Sequence, residues 1–186
     1  MKTALIVDDE PLIRRQVAET LTNYGFDRIL EAENGKVAVD LAQAHTPLLI
    51  VMDVSMPVMD GITAAGKIGR TIPAPIVLLT ATADPETVTR ARTAGVMSYV
   101  VKPFRADQLY AAVDLAIHNF IEVSSLREEV AKLQETLETR KLVEKAKGSL
   151  IKKGMSEPEA YRKMQKIAMD KRKTLKEVAE AILMME

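Results

Sequence analysis

The chain of 186 residues contains no cysteine. That excludes a disulfide framework and a thiolate metal site, and it fits a reducing compartment without requiring one. No apolar stretch is long enough for a signal peptide or a membrane span, and Met1-Lys2-Thr3 runs straight into a short strand. A cytoplasmic protein with no membrane partner is expected. No Gly-x-Gly-x-x-Gly and no Gly-x-x-x-x-Gly-Lys-Ser/Thr follows a strand, which argues against a dinucleotide or nucleotide enzyme. Net charge is absent too, with 26 basic side chains against 26 acidic. That balance hides an asymmetry: residues 1–120 carry 11 basic and 14 acidic side chains, 121–140 carry 3 and 5, and 141–186 carry 12 and 7. An acidic front and a basic back suggest two jobs, the second on a polyanion.

What is present is enough apolar material for a core, 47% of the residues, in one large domain or two small ones. Over residues 1–120 short apolar runs alternate with amphipathic segments, the βαβ signature of a doubly wound parallel sheet. Five strands are expected near Ala4–Val7, Arg28–Glu31, Leu48–Met52, Ile76–Leu79 and Ser98–Val101. Helices are expected over Pro11–Tyr24, Lys36–Ala44, Ile62–Arg70 and Glu86–Ala94, with a last one opening at Asp107. Gly25, Gly35, Gly61 and Gly95 punctuate the segment ends.

Polar residues recur where four of these strands end. Asp8-Asp9 follows the first, Asp53 the third, Thr80 the fourth, and Lys102 the fifth. Ligand sites of open α/β sheets lie at that carboxyl edge. Three carboxylates, a hydroxyl and an ammonium are thus expected at one edge. Each has a plain structural alternative. Asp8-Asp9 ahead of Glu10-Pro11 could cap the first helix, Thr80 could cap a loop, Lys102 could form a surface ion pair, and Tyr99 could be a packed edge aromatic.

Between Asp107 and Lys153 there is no proline and the single glycine is Gly148, so one helix could run from the sheet domain into the tail. Over residues 121–140 it carries a heptad pattern, with Val123, Val130 and Leu137 at a and Leu126 and Leu133 at d; Arg140 breaks the next d. A coiled-coil seam between two protomers is the preferred reading, and a solvated linker helix the alternative. Two further helices start at legible capping boxes, Ser156 with Glu159 and Thr174 with Glu177. Gly154 suits the stop just before. Ala160, Tyr161, Met164, Ile167 and Ala168 form one apolar face, Leu175, Val178, Ala179 and Ile182 another, so residues 142–185 read as a small three-helix module.

At this point two resemblances are carried by motifs. Residues 1–120 resemble the flavodoxin-like receiver domain of two-component response regulators through Asp8-Asp9, the stretch Asp53-Val-Ser-Met-Pro-Val-Met-Asp-Gly61, Thr80-Ala81, Tyr99 and Lys102-Pro103-Phe104. Residues 141–186 resemble the ANTAR output domain of transcription antitermination regulators through Ala146-Lys147-Gly148, Gly154, Ser156, Glu159-Ala160, Ala168, Leu175 and Val178-Ala179.

The first resemblance implies that Asp53 is a phosphoacceptor served by a sensor histidine kinase. It also implies a Mg²⁺ site made by Asp9, Asp53 and the backbone carbonyl of Ser55, with Asp8 acting mostly through water. Lys102 pairs with the phosphoryl oxygens, Thr80 hydrogen-bonds one of them, and Tyr99 rotates inward as Thr80 moves. Such a domain takes and slowly loses its own phosphoryl group and turns over no metabolite. An aspartyl-phosphate phosphatase wants a general acid two residues past its nucleophile, where this chain has Ser55.

The second resemblance implies RNA hairpins as ligands of a phosphorylation-dependent homodimer. Lys147, Lys152 and Lys153 around Gly148, with Arg162, Lys163 and Lys166 as a second patch, are placed to grip phosphates, and Tyr161 to stack on a loop base. A glycine inside a helix costs about 1 kcal/mol relative to alanine, which suggests close approach to that backbone. The alternatives are close helix packing at Gly148 and a core position for Tyr161. A DNA reader and a tail that binds only proteins are the competing functions. The final helix from Leu175 to Met185, mostly apolar, lacks the Arg, Asn and Gln a base-reading helix wants.

Overall fold

Five short apolar runs pair into one sheet because each is bounded by turn chemistry and too short to be a buried helix. The computed structural model describes residues 1–82 and 84–185. Its elements are β1 (Thr3–Val7), α1 (Pro11–Tyr24), β2 (Arg28–Ala32), α2 (Gly35–His45), β3 (Leu49–Asp53), α3 (Gly61–Thr71), β4 (Ile76–Thr80), α4 (Pro85–Thr93), β5 (Ser98–Val101), α5 (Ala106–Lys152), α6 (Glu157–Lys171) and α7 (Leu175–Met184). All strand pairs are parallel, in the order β2-β1-β3-β4-β5. The order reverses between β1 and β3, so the crevice at their carboxyl ends is the place where such sheets hold ligands.

Period-two alternation sorts the strand side chains onto two faces. Ala4, Ile6, Leu49, Val51, Val77 and Leu79 pack with Val17 and Leu21 of α1 and with Leu109, Val113 and Ala116 of α5. Leu5, Val7, Ile50, Met52 and Leu78 pack on the other face with Ala38 and Ala42 of α2, Ile62, Ala65 and Ile68 of α3 and Ala91 of α4. Both faces are covered, which is why β3 and β4 read as unbroken apolar runs instead of alternating ones.

Boundaries shift by a residue or so from the sequence expectation, for local reasons. Leu48 lies just outside β3 and is exposed, whereas Asp53 and Thr80 are the last residues of β3 and β4. The Asn34 side chain accepts from Lys36 and Val37 N–H, so α2 opens at Gly35. Asp84 accepts from Thr87 N–H with Pro85 at the first helical position, so α4 begins before Glu86.

The chain divides into two units, Met1–Ser124 and the residues from Ser125 on. α5 is one helix of 47 residues with parts in both. In the second unit Val143, Ala146 and Leu150 of α5, Ala160 and Met164 of α6, and Val178 and Ala179 of α7 form a separate core. Both capping boxes form: the Glu159 carboxylate accepts from Ser156 N–H at 2.9 Å, and that of Glu177 from Thr174 N–H at 2.8 Å. Gly154, with φ of 95°, takes the left-handed turn after α5. The core alternative for Tyr161 falls here: Tyr161 is 38% exposed and stands outside the core that Ala160 and Met164 enter and against which Ile167 and Ala168 pack.

Candidate functional site

The end of β3 delivers Asp53 to the crevice, and Gly61 allows it. A Cβ on Gly61 would lie 2.0 Å from the Asp53 carbonyl oxygen, closer than any side chain permits, so the loop can return against β3 only with glycine there. Gly61 N–H donates to the Val54 carbonyl at 2.9 Å, and Asp60 caps α3 by accepting from Thr63 N–H at 3.0 Å. Within that loop Val58 has φ of 67° and is 79% exposed, inside a three-residue turn closed by Met59 N–H to the Pro57 carbonyl at 2.7 Å.

Three of the expected residues converge. Lys102 Nζ lies 2.6 Å from Asp53 Oδ1 and 2.7 Å from Asp8 Oδ2, with Glu10 at 4.0 Å. Asp8 is fully buried and Asp53 nearly so. Asp53 Oδ2 also accepts from Ser55 N–H at 2.7 Å, and Asp8 Oδ1 from Glu10 N–H at 2.9 Å. Burial pushes the Asp53 carboxyl above its ordinary value, with Lys102 pulling the other way. Burial also works against the Lys102 charge, but hydrogen bonds to Asp53 and Asp8 outweigh it and hold the ammonium above its ordinary value. The surface-ion-pair alternative for Lys102 therefore falls: its partners are buried.

The remaining expected site residues sit around this cluster. Thr80 is buried, and its hydroxyl donates to the Thr82 carbonyl at 2.6 Å. Tyr99 is 46% exposed, beside a small depression lined by Thr80, Thr82, Val88 and Ala91. Asp9 and Ser55 are exposed at the mouth. Among the described residues no three His, Cys, Asp or Glu side chains close into a ready-made cation cage, and the Lys102 ammonium stands between Asp8 and Asp53. The donor set is nonetheless all oxygen, anionic and partly buried, which suits a hard divalent cation.

Sequence reasoning missed Arg14. Its Nη1 donates to the Asp8 carbonyl at 2.7 Å and the Asp9 carbonyl at 3.5 Å, while Nε donates to Glu31 at 3.0 Å. Nothing in the residue pattern marks it, since its partners are two backbone atoms and a carboxylate on another strand.

In the second unit, Lys152, Lys153, Arg162, Lys163 and Lys166 are exposed. A Cβ on Gly148 would meet nothing within 4 Å, which rejects close helix packing as the reason for that glycine. Lys147 differs from the other lysines. Its Nζ lies 2.8 Å from Glu144 and 2.9 Å from Glu157 and 6.0 Å from the Tyr161 ring centre, and the side chain is 12% exposed. Hydrogen bonds to Glu144 and Glu157 hold its ammonium above the usual lysine value.

Known proteins match this chain in the same two parts. The family described as "Response regulator receiver domain" matches residues 4–114, and that described as "ANTAR domain" matches residues 131–183. The chain is a response regulator with a receiver and an ANTAR domain. It is 50% identical over 183 residues to the transcriptional regulatory protein PdtaR of Mycobacterium tuberculosis, covering 98% of this chain and 89% of that protein. The chemotaxis protein CheY of Bacillus subtilis is 38% identical over 115 residues, 61% of this response regulator and 96% of CheY. Among solved structures, CheY4 of Vibrio cholerae superposes with a TM-score of 0.57 at 31% identity, over 61% of this chain and 97% of that one. The CheX–CheY–BeF3–Mg²⁺ complex of Borrelia burgdorferi matches with a TM-score of 0.58 at 28% identity, over 60% of this chain and 86% of that one. No helix of the described residues is long and apolar enough to cross a membrane.

Proposed function

We propose that this response regulator is a phosphorylation-activated transcription antiterminator. A sensor histidine kinase phosphorylates Asp53, the phosphorylated receiver favours a homodimer through α5, and paired ANTAR domains hold RNA hairpins so that a terminator does not form. The buried Asp8–Lys102–Asp53 cluster is the observation that carries this reading.

A carboxylate oxygen of Asp53 attacks the phosphorus of a phosphohistidine. The new O–P bond forms as the P–N bond breaks, and the imidazole leaves with the electron pair. Lys102 exchanges its contact with Asp53 Oδ1 for a phosphoryl oxygen. The Thr80 hydroxyl leaves the Thr82 carbonyl for another, and Tyr99 turns into the depression beside it. Mg²⁺, held by Asp9, Asp53 and the Ser55 carbonyl with Asp8 through water, would neutralise phosphoryl charge. The similar receiver from Borrelia burgdorferi, a complex with BeF3 and Mg²⁺, supports that cofactor.

In the first unit the a/d face of α5 is buried at Leu109, Ala112 and Ala116; the same face continues as Leu126, Val130, Leu133 and Leu137, each more than half exposed. An apolar stripe of heptad spacing on an exposed stretch of helix fits a seam with a second copy. In the ANTAR domain the phosphate grip falls to Lys152, Lys153, Arg162, Lys163 and Lys166, with Tyr161, near Lys147, as a stacking platform and the Gly148 backbone left open. Lys147, already paired twice, acts by holding α6 and Tyr161 in place.

A gel shift comparing RNA hairpins with duplex DNA, with and without beryllofluoride, tests the whole reading. Hairpin binding that rises with the phosphoryl mimic is expected. Preferential duplex binding would make the protein a DNA-binding regulator, and binding of neither would leave a tail that contacts only proteins.

A further inference from the structure

We propose that Arg14 is a positioning residue that sets the acidic pair Asp8–Asp9, and with it the divalent-cation affinity of the receiver site. The inference rests on the phosphoacceptor reading of Asp53.

Asp8 and Asp9 leave the sheet at the end of β1, where the strand ladder stops supporting the backbone. Asp8 N–H still pairs with the Ala32 carbonyl of β2 at 3.1 Å. The carbonyls of Asp8 and Asp9 instead receive Arg14 Nη1, at 2.7 Å and at a longer 3.5 Å. The direction in which both carboxylates leave the chain depends on the turn that these carbonyls belong to. Arg14 is itself fixed from two sides. It stands on the first turn of α1, and its Nε donates to Glu31 of β2 at 3.0 Å, with the arginine side chain 18% exposed. A planar guanidinium reaches both targets at once, one nitrogen on the turn and another on the carboxylate. A lysine has one nitrogen and cannot reproduce that fork.

Two effects of opposite sign compete. A positive charge near the site repels a cation, whereas a fixed turn favours its ligands. Glu31 already pairs with the Arg14 charge, so the positioning effect dominates. Groups that orient metal ligands typically contribute about tenfold or more to affinity.

The test uses the full chain. Mg²⁺ is titrated into wild type, Arg14→Ala and Arg14→Lys, following amide NMR shifts at Asp9, Glu10 and Ser55, while the Mg²⁺ dependence of Asp53 labelling by acetyl phosphate is measured in parallel. The expected result is a Mg²⁺ affinity about tenfold weaker in Arg14→Ala, with Arg14→Lys also weakened and still cooperatively folded. Tighter binding in Arg14→Ala with wild-type binding in Arg14→Lys would mean that Arg14 acts only as a charge and would overturn the proposal. Equal affinities in all three proteins would overturn it as well. A wild type that neither binds Mg²⁺ at these amides nor becomes labelled would instead overturn the phosphoacceptor reading, and the inference with it.

Discussion

Lys102 stands between Asp8 and Asp53, 2.7 Å from one carboxylate and 2.6 Å from the other. Two carboxylates this buried would repel each other and favour protonation if left alone. The lysine offsets part of that conflict by spanning both. Such a pair is weak evidence for stability, because desolvation offsets much of the attraction. On the phosphoacceptor reading its consequence is functional: beside Asp53 stands a cation that can follow an incoming phosphoryl group.

Asp53→Asn should abolish labelling by phosphodonors and leave the fold intact, since it removes the proposed nucleophile at constant size. It should also change the pH dependence of stability. Burial raises the folded carboxyl above its ordinary 3.8, so the folded chain keeps a proton that the unfolded chain releases first. The stability from this group is therefore fully present below 3.8 and lost as pH rises through the raised folded value. Denaturation across that window should show this decline in wild type and not in Asp53→Asn; retained labelling of the variant would overturn the site assignment.

On the phosphoacceptor reading, Lys102→Ala should separate phosphorylation from output, because the charge proposed to pair with the phosphoryl group is gone. Asp53 is expected to remain labelled while RNA binding fails to rise. Wild-type RNA binding in a labelled Lys102→Ala protein would remove Lys102 from the coupling.

Val58→Gly should stabilise the receiver. A β-branched residue at φ of 67° is strained, and Val58 is too exposed for its side chain to contribute packing. Relief of that conformation is worth about 1–2 kcal/mol, and glycine's greater chain entropy returns part of it, leaving a gain of about 0.5–1 kcal/mol. Urea denaturation reads the difference directly, and an unchanged or lower midpoint would show that the turn carries no removable strain.

The receiver was legible because its signals are local. Short apolar runs covered on both faces read as strands, and Asp8, Asp53, Thr80 and Lys102 each follow or close one, so topology alone brings them to one edge. The tail was less legible because helical spacing shows which residues share a face and not where burial on that face ends. Tyr161 shares the spacing of Ala160 and Met164 and still lies outside the core. The role of Lys147 depends on Glu157, which belongs to the next helix. Arg14 was invisible because backbone carbonyls carry no residue signature.

Val130→Asp with Leu133→Asp should block dimerisation and spare phosphorylation. Both side chains are exposed in the single chain, at 52% and 58%, so the substitutions cost the folded protomer little. In a seam the same carboxylates would be buried without partners, which is expensive. Sedimentation of the phosphorylated proteins decides the matter: a dimer in the double variant would return this stretch of α5 to a solvated linker.

Lys153→Ala and Lys147→Ala should behave differently, and the difference tests where RNA sits. Lys153 is exposed, so if it touches a phosphate its removal weakens hairpin binding and lowers the single-strand salt slope by about 0.7. Lys147 is already neutralised by Glu144 and Glu157, so Lys147→Ala removes no phosphate contact and should leave the slope as it is. What it removes is the link from α5 to Glu157 and Tyr161, so its loss of affinity should appear equally at all salt concentrations. A reduced slope in Lys147→Ala would mean that RNA displaces Glu144 and Glu157 and takes the lysine for itself. Wild-type affinity and slope in Lys153→Ala would move the phosphate contacts off the end of α5 altogether.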